Sequence, residues 1–196
     1  MRNKLFQIAG VLFVTLATIE ACTSSSAKVE KATAGLDSVQ LVKRGEYLVS
    51  SVGCDDCHSP KRMGPHGPEI IPELRLSGFP HDGQVPPVNV GEVKKGWALF
   101  APDLTSAVGA WGQSYAANIT SDPTGIGSWP EENFLRAIRH GKSKGIEANR
   151  DLLPPMPWFV YKNMTDEDLR AIFAYLKTTN PVHNIPPAPR SLDEIK

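Results

Sequence analysis

Apolar residues are spread unevenly along this chain. Leu5 to Ile19 is an almost unbroken apolar run, interrupted only by Gln7, Thr15 and Thr18. Residues 24–35 are small, polar and charged, with no periodic apolar face, so a flexible tether is predicted there. A helical period starts near residue 38. Leu41, Gly45 and Leu48 fall at i, i+4 and i+7, Asp37 or Ser38 is placed to cap, and Gly53 ends the segment. Residues 59–117 hold eight prolines, from Pro60 to Pro102, and keep no amphipathic period, which predicts long irregular loops. Ser128 with Glu131, and Pro130 between them, reads as a capping box opening a helix through Phe134, Leu135 and Ile138 that Gly141 stops. A last helix runs from Thr165 to Thr178 with Leu169, Ile172, Phe173 and Leu176 on one face, and Asn180-Pro181 closes it. The pattern predicts an all-α domain over residues 38–182, preceded by segments 1–21 and 22–37. An extended surface strap over 183–196, with Pro186, Pro187 and Pro189, follows it.

Composition narrows this. Hydrophobic residues make up 41% of 196, while prolines number 17 and glycines 16, which suits a modest helical core wrapped by loops. Charge is balanced at 21 basic against 21 acidic residues. Without the first 21 residues it is 19 against 20, a net of −1, and the basic footprint needed for nucleic acid is missing.

The N-terminal run has the form of an export signal. Arg2 and Lys4 precede an apolar stretch that is short for a stable membrane span, as in signal peptides. It ends in Ile19-Glu20-Ala21-Cys22, which resembles the bacterial lipobox. That resemblance implies lipidation at Cys22 and a membrane anchor, with the domain exported to the periplasmic face. Thr23 after the cysteine implies outer rather than inner membrane. An unmodified thiol in an exported protein is a liability that a lipid thioether removes.

The chemistry lies in Cys54-Asp55-Asp56-Cys57-His58, the C-x-x-C-H signature of covalent haem attachment. Two thiols one helical turn apart can each add across a haem vinyl group, and the imidazole that follows is held beneath the iron. A redox dithiol of thioredoxin type belongs beside a βαβ pattern, which is not visible here. Structural zinc needs two more soft ligands, and the one other cysteine is Cys22. With a single such motif, one haem c through Cys54 and Cys57 is expected, His58 being its proximal ligand.

Gly45 with Tyr47, then C-x-x-C-H, then the helix from Thr165, resembles the class I c-type cytochromes. The segment from Tyr115 through Asn118-Ile119-Thr120 to Trp129 is similar to cytochrome c subunits of periplasmic dehydrogenases. The resemblance implies a cytochrome c fold whose N- and C-terminal helices cross at Gly45. It further implies a proline carbonyl on the His58 Nδ1–H, for which Pro60, Pro65 and Pro68 are candidates. Asn118 and Trp129 would lie near the haem propionates, although simple turn chemistry accounts for Asn118 equally well.

Leu152 to Trp158 contains Pro155-Met156-Pro157, a methionine on a stiff loop. By the same resemblance Met156 is the sixth iron ligand, and a soft sulfur there raises the potential. Met63 follows His58 too closely to reach the other haem face, and Met164 has a sufficient role stapling the last helix onto Leu169. His66, His81 and His140 read as surface residues, and Arg136 and Arg139 as a solvated face. Trp97, Phe100 and Trp111 suit haem contact or loop anchoring.

The implied function is one-electron transfer rather than catalysis. Partners would be redox proteins such as a dehydrogenase, an oxidase or another cytochrome. The alternative is a haem enzyme or gas sensor with an open sixth position.

Overall fold

In a computed structural model that describes residues 37–195, the chain begins with helix α1 (Ser38–Ser51) and the short α2 (Cys54–His58). A hairpin of β1 (Lys61–Gly64) and β2 (Gly67–Ile70) comes next, then α3 (Val90–Lys94). A three-stranded sheet of β3 (Leu99–Phe100), β4 (Ser106–Gly109) and β5 (Gly112–Tyr115) follows. The chain closes with α4 (Glu131–His140), α5 (Trp158–Tyr161) and α6 (Asp166–Leu176). The signal segment, Cys22 and the tether up to residue 36 lie outside the described residues. Among the described residues no helix is long and apolar enough to cross a membrane.

The expected crossing of the first and last helices is present. Gly45 is buried, and a Cβ there would overlap the Ala171 carbonyl oxygen of α6 and lie 2.7 Å from Tyr175 Cβ. The backbones approach that closely only because position 45 has no side chain. Tyr47, the aromatic of the motif, is instead 61% exposed with the Arg44 guanidinium over its ring, and Leu48 and Val49 fill the inner face. Helix α6 starts at the Thr165 cap, whose hydroxyl accepts from Asp168 N–H at 3.1 Å. Three acidic residues in its first turn complement the helix dipole. Helix α4 starts at Glu131 after Pro130, so the Ser128 capping box does not form. It ends at Gly141 (φ 65°), where the Trp158 ring lies close enough that a Cβ would overlap it. Phe134 of α4 meets Phe173 of α6 with ring centroids 5.4 Å apart. Leu48, Val49, Leu76, Ile126, Phe134, Ile138 and one face of α6 form a single buried cluster.

The fold is not all-α. Strand makes up 13% against 36% helix, in two small antiparallel sheets, so the architecture is mixed. β1 pairs with β2 around Pro65-His66, and β4 pairs with β5 around Ala110-Trp111, with β3 on the other edge of β4. These strands are four residues or fewer, too short for alternation to register against the surrounding prolines and glycines. β4 is buried at every position, so it shows no alternation at all. The tail meets β5 at Arg190. Gln113 N–H donates to Arg190 O at 2.8 Å and Arg190 N–H to Gln113 O at 3.0 Å, extending β5 by one bridge. The tail also carries a buried residue, Asn184.

Candidate haem site

Gly53 turns the chain from α1 into α2 through a left-handed conformation (φ 81°) that favours glycine. This sets Cys54 and Cys57 one turn apart as free, partly buried thiols with His58 directly after them. Burial pushes the Cys54 thiol up to about 12, with Asp55 the next cause. Burial also raises Cys57, helped by Asp56. Both therefore stay protonated at neutral pH. Burial lowers His58, so its ring is neutral. Its Nδ1 lies 2.7 Å from the Ala117 carbonyl oxygen, which can only accept. The proton therefore sits on Nδ1, and the Nε2 lone pair is left for a metal.

This corrects the expectation of a proline carbonyl. The acceptor lies 59 residues away, on a backbone oxygen that no side-chain pattern announces. Pro60 N-terminal to the hairpin instead accepts from Ile71 N–H at 3.0 Å.

Two charged residues that sequence reasoning missed fix α2 from outside. Arg75 donates twice to Asp55, from Nε at 3.0 Å and Nη2 at 2.7 Å, and its Nη1 donates to the Tyr175 hydroxyl of α6 at 2.6 Å. Asp55 also accepts from Ser59 Oγ at 2.7 Å, and that Oγ accepts from Leu76 N–H. Lys61 Nζ lies within 3.2 Å of four carbonyl oxygens, those of Asp55, Asp56, Ser59 and Asp103. An ammonium among the last carbonyls of a helix caps it and favours its dipole.

A second wall, the segment bearing Met156, packs against the same buried cluster as Cys54, as do Ile119, Trp129, Leu135, Tyr161 and Met164. The loop bearing Met156, which contains a cis Pro154-Pro155 bond, is anchored twice just before the methionine. Ser114 of β5 donates to Pro154 O at 2.6 Å, and Leu152 N–H donates to Gly141 O at 2.6 Å. Trp111 anchors that strand in turn, its indole N–H donating to Ser114 Oγ at 3.2 Å. Tyr161 of α5 donates to Val52 O at 2.6 Å, joining this wall to the turn before Cys54. Of the competing methionines, one is on the surface and the other packs at the base of the last helix. Met63 is 71% exposed on β1, and Met164 packs beside the buried Leu169.

The donor set fits haem c: two free thiols at the attachment spacing, one neutral imidazole with its Nδ1 committed, and Cys54 packed against the apolar core. Among the described residues no three His, Cys, Asp or Glu side chains are grouped to hold a metal ion.

The remaining candidates divide. Asn118 is buried and its amide is engaged within the protein. Its oxygen accepts from Thr120 N–H and Oγ, and its nitrogen donates to Thr124 Oγ1, Val182 O and Asn184 O. The bonds to Thr120 and Thr124 are turn chemistry, and those to Val182 and Asn184 tie the turn to the C-terminal tail. The Trp129 indole packs against the core edge. Arg136 donates to Gly145 O at 2.9 Å, and Arg139 bonds Lys162 O and Asp166. His66, His81 and His140 are exposed, as are Trp97 and Phe100. An open cleft of about 230 Å³ lies on the sheet beside Pro86, Pro87 and Phe100 and shares no residue with α2.

A family model described as Cytochrome c matches residues 42–180. The chain is 32% identical over 136 residues to the gluconate 2-dehydrogenase cytochrome c subunit of Pantoea cypripedii, covering 69% of this chain and 22% of that protein. It is 30% identical over 139 residues to the fructose dehydrogenase cytochrome subunit of Gluconobacter japonicus, covering 70% and 21%. The cytochrome c subunit of the quinone-type alcohol dehydrogenase of Gluconobacter oxydans is 28% identical over 136 residues, covering 69% and 20%. The chain thus spans about a fifth of the length of these curated relatives.

Proposed function

This chain belongs to the cytochrome c family and carries haem c on Cys54 and Cys57, and from that premise we propose that it is a carrier of single electrons with His58 and Met156 as the two axial ligands. The haem supplies the one-electron chemistry at its iron. The observation that carries the reading is the His58 Nδ1–Ala117 O contact of 2.7 Å, which fixes the tautomer whose Nε2 can bind a metal. Around it the chain's own residues do three things. Ala117 orients the imidazole and raises its basicity. The loop held by Ser114 keeps the Met156 thioether in a defined place. The apolar side chains of Ile119, Trp129 and Leu135 exclude water between the two walls. Haem held by both His58 and Met156 would leave its iron no place for a substrate, and we assign the Trp129 indole N–H as the donor that would meet a propionate.

In this reading the partner is a dehydrogenase that passes electrons to the chain. The relatives named as cytochrome subunits of gluconate 2-dehydrogenase and fructose dehydrogenase support it. Export, lipidation at Cys22 and a periplasmic outer-membrane position belong to the same proposal, supported by Ile19-Glu20-Ala21-Cys22 and the apolar run before it.

The test is Met156→Ala in the full chain. The haem is expected to stay covalently attached on a denaturing gel, and the long-wavelength charge-transfer band of methionine sulfur on ferric iron to vanish. The potential should fall by on the order of 0.1 V, within the roughly 0.8 V that axial ligands span. An unchanged band and potential would move the ligand elsewhere. A native protein without the band that binds CO or cyanide rapidly would replace the carrier with a haem enzyme or gas sensor.

A further inference from the structure

The Ala117 carbonyl that accepts the His58 Nδ1–H bond does not stand on a regular strand. It belongs to residues 116–119, laced to residues 76–79 by two backbone bonds: Phe79 N–H to Ala116 O at 2.9 Å and Ile119 N–H to Leu76 O at 2.9 Å. Gly78 sits between them in a left-handed conformation (φ 76°). Its N–H donates to His58 O at 2.8 Å, and a Cβ on it would overlap the Ala116 and Ala117 carbonyls. The imidazole, its own backbone and its acceptor are thus all registered against these two short segments.

One residue clasps both segments, and it comes from the C-terminal tail. The Asn184 amide nitrogen donates to Ser77 O at 2.7 Å and to Phe79 O at 2.9 Å, the two carbonyls flanking Gly78. Its amide oxygen accepts from His81 N–H at 2.9 Å. Its backbone N–H donates to Thr124 Oγ1 at 3.1 Å, and its backbone carbonyl accepts from Asn118 Nδ2 at 3.2 Å. Asn118 directly follows Ala117. Asn184 is buried at 6% exposure, so water cannot replace these bonds cheaply.

We propose that Asn184 is a positioning residue for the proximal ligand, holding residues 77–79 and Asn118 together so that the Ala117 carbonyl keeps its short hydrogen bond to His58 Nδ1. The inference rests on the haem reading above. Its consequence is electronic as well as structural. A strong bond from Nδ1–H makes the imidazole a better donor and favours ferric iron. Loosening it shifts the balance toward ferrous iron.

The experiment uses the full haem-loaded protein with Asn184→Leu, which keeps the volume and removes the amide, and Asn184→Ser, a milder change. The Asn184→Leu variant is expected to change the ferric–ferrous equilibrium about threefold toward ferrous, an upward shift of about 28 mV at 59 mV per tenfold for one electron. Exchange of the His58 Nδ1 proton with solvent, read by NMR in the ferrous protein, is expected to accelerate at least tenfold. Asn184→Ser should move both readouts the same way by less. Thr165→Ala, which removes the cap of α6 away from these segments, serves as a destabilised control and should move neither. Asn184 variants that melt earlier, like the control, yet keep the native potential and exchange rate would reduce Asn184 to a merely structural residue and overturn the proposal. Native protein without covalent haem would overturn the carrier reading itself, which haem staining shows before any variant is made.

Discussion

Asp55 lies between the two cysteines, where the attachment chemistry asks for nothing in particular. Its carboxylate nevertheless holds the Arg75 guanidinium by two parallel bonds, and Arg75 passes the connection on to the Tyr175 hydroxyl. Asp55 is 15% exposed and Arg75 33%, against 21% and 43% for the Asp168–Arg44 pair on the outside of the helix crossing. The comparison decides which pair matters. A single-bonded exposed pair contributes well under 1 kcal/mol, whereas truncating one partner of a half-buried bidentate pair leaves a carboxylate short of donors at about 1–3 kcal/mol. Arg75→Met is therefore expected to destabilise by about 2 kcal/mol, a fall in Tm of roughly 5 °C for a domain of this size. Arg44→Met should melt with the parent, its partner being free to regain water. Thermal melts of the two variants check this. Equal melting points would mean that the Asp55–Arg75–Tyr175 chain adds nothing beyond its surface counterpart.

At the level of elements, the crossing of α1 and α6 is governed by one glycine. Alanine is the better helix former by about 1 kcal/mol. A Cβ at position 45, however, meets a backbone carbonyl that cannot swing aside, and overpacking of that kind costs about 1–3 kcal/mol. Gly45→Ala should thus be net destabilising by about 1–2 kcal/mol in urea unfolding, and a stabilised variant would show that the helices separate freely. That crossing was readable in advance through the resemblance, and a glycine inside an otherwise good helical period agrees with it, since it weakens the helix unless another backbone comes close. The haem-bearing turn, the Gly141 stop and the Thr165 cap were readable for a related reason: each is a local signal within a few residues. The small sheets were not. β5 holds both walls of the site, through Ser114 on the Pro154 carbonyl and, two residues past its end, through Ala117 on His58. Neither contact leaves a mark in the sequence, because each depends on a backbone oxygen. The anchors Arg75 and Lys61 were hidden differently, as ordinary surface-type residues whose partners lie up to 100 and up to 42 residues away.

At the level of the whole molecule, the two walls of the site are joined by Tyr161, whose hydroxyl donates to the Val52 carbonyl at 2.6 Å. The bond ties the segment after Met156 to the turn before Cys54. Burial holds the Tyr161 phenol up to about 12, with the neighbouring Cys54 and Cys57 a lesser cause that thioether formation removes. In the unfolded chain the same phenol titrates near 10. The folded state therefore binds more protons than the unfolded one between those values. The contribution is fully present below about pH 10 and is lost as pH rises through about 12. Tyr161→Phe removes both the bond and the titration. Below pH 10 the variant should be less stable by about 1 kcal/mol, the usual net value of one hydrogen bond. As pH rises toward 12 the parent should lose this advantage and the two melting curves converge. Lys142, held above its ordinary value by its bond to Asp151, also weakens in alkali, but it is common to both proteins and cancels in the difference. A stability difference that stays constant from neutral pH to pH 12 would mean that the phenol ionises without disturbing the join. The two walls would then be held together by packing alone.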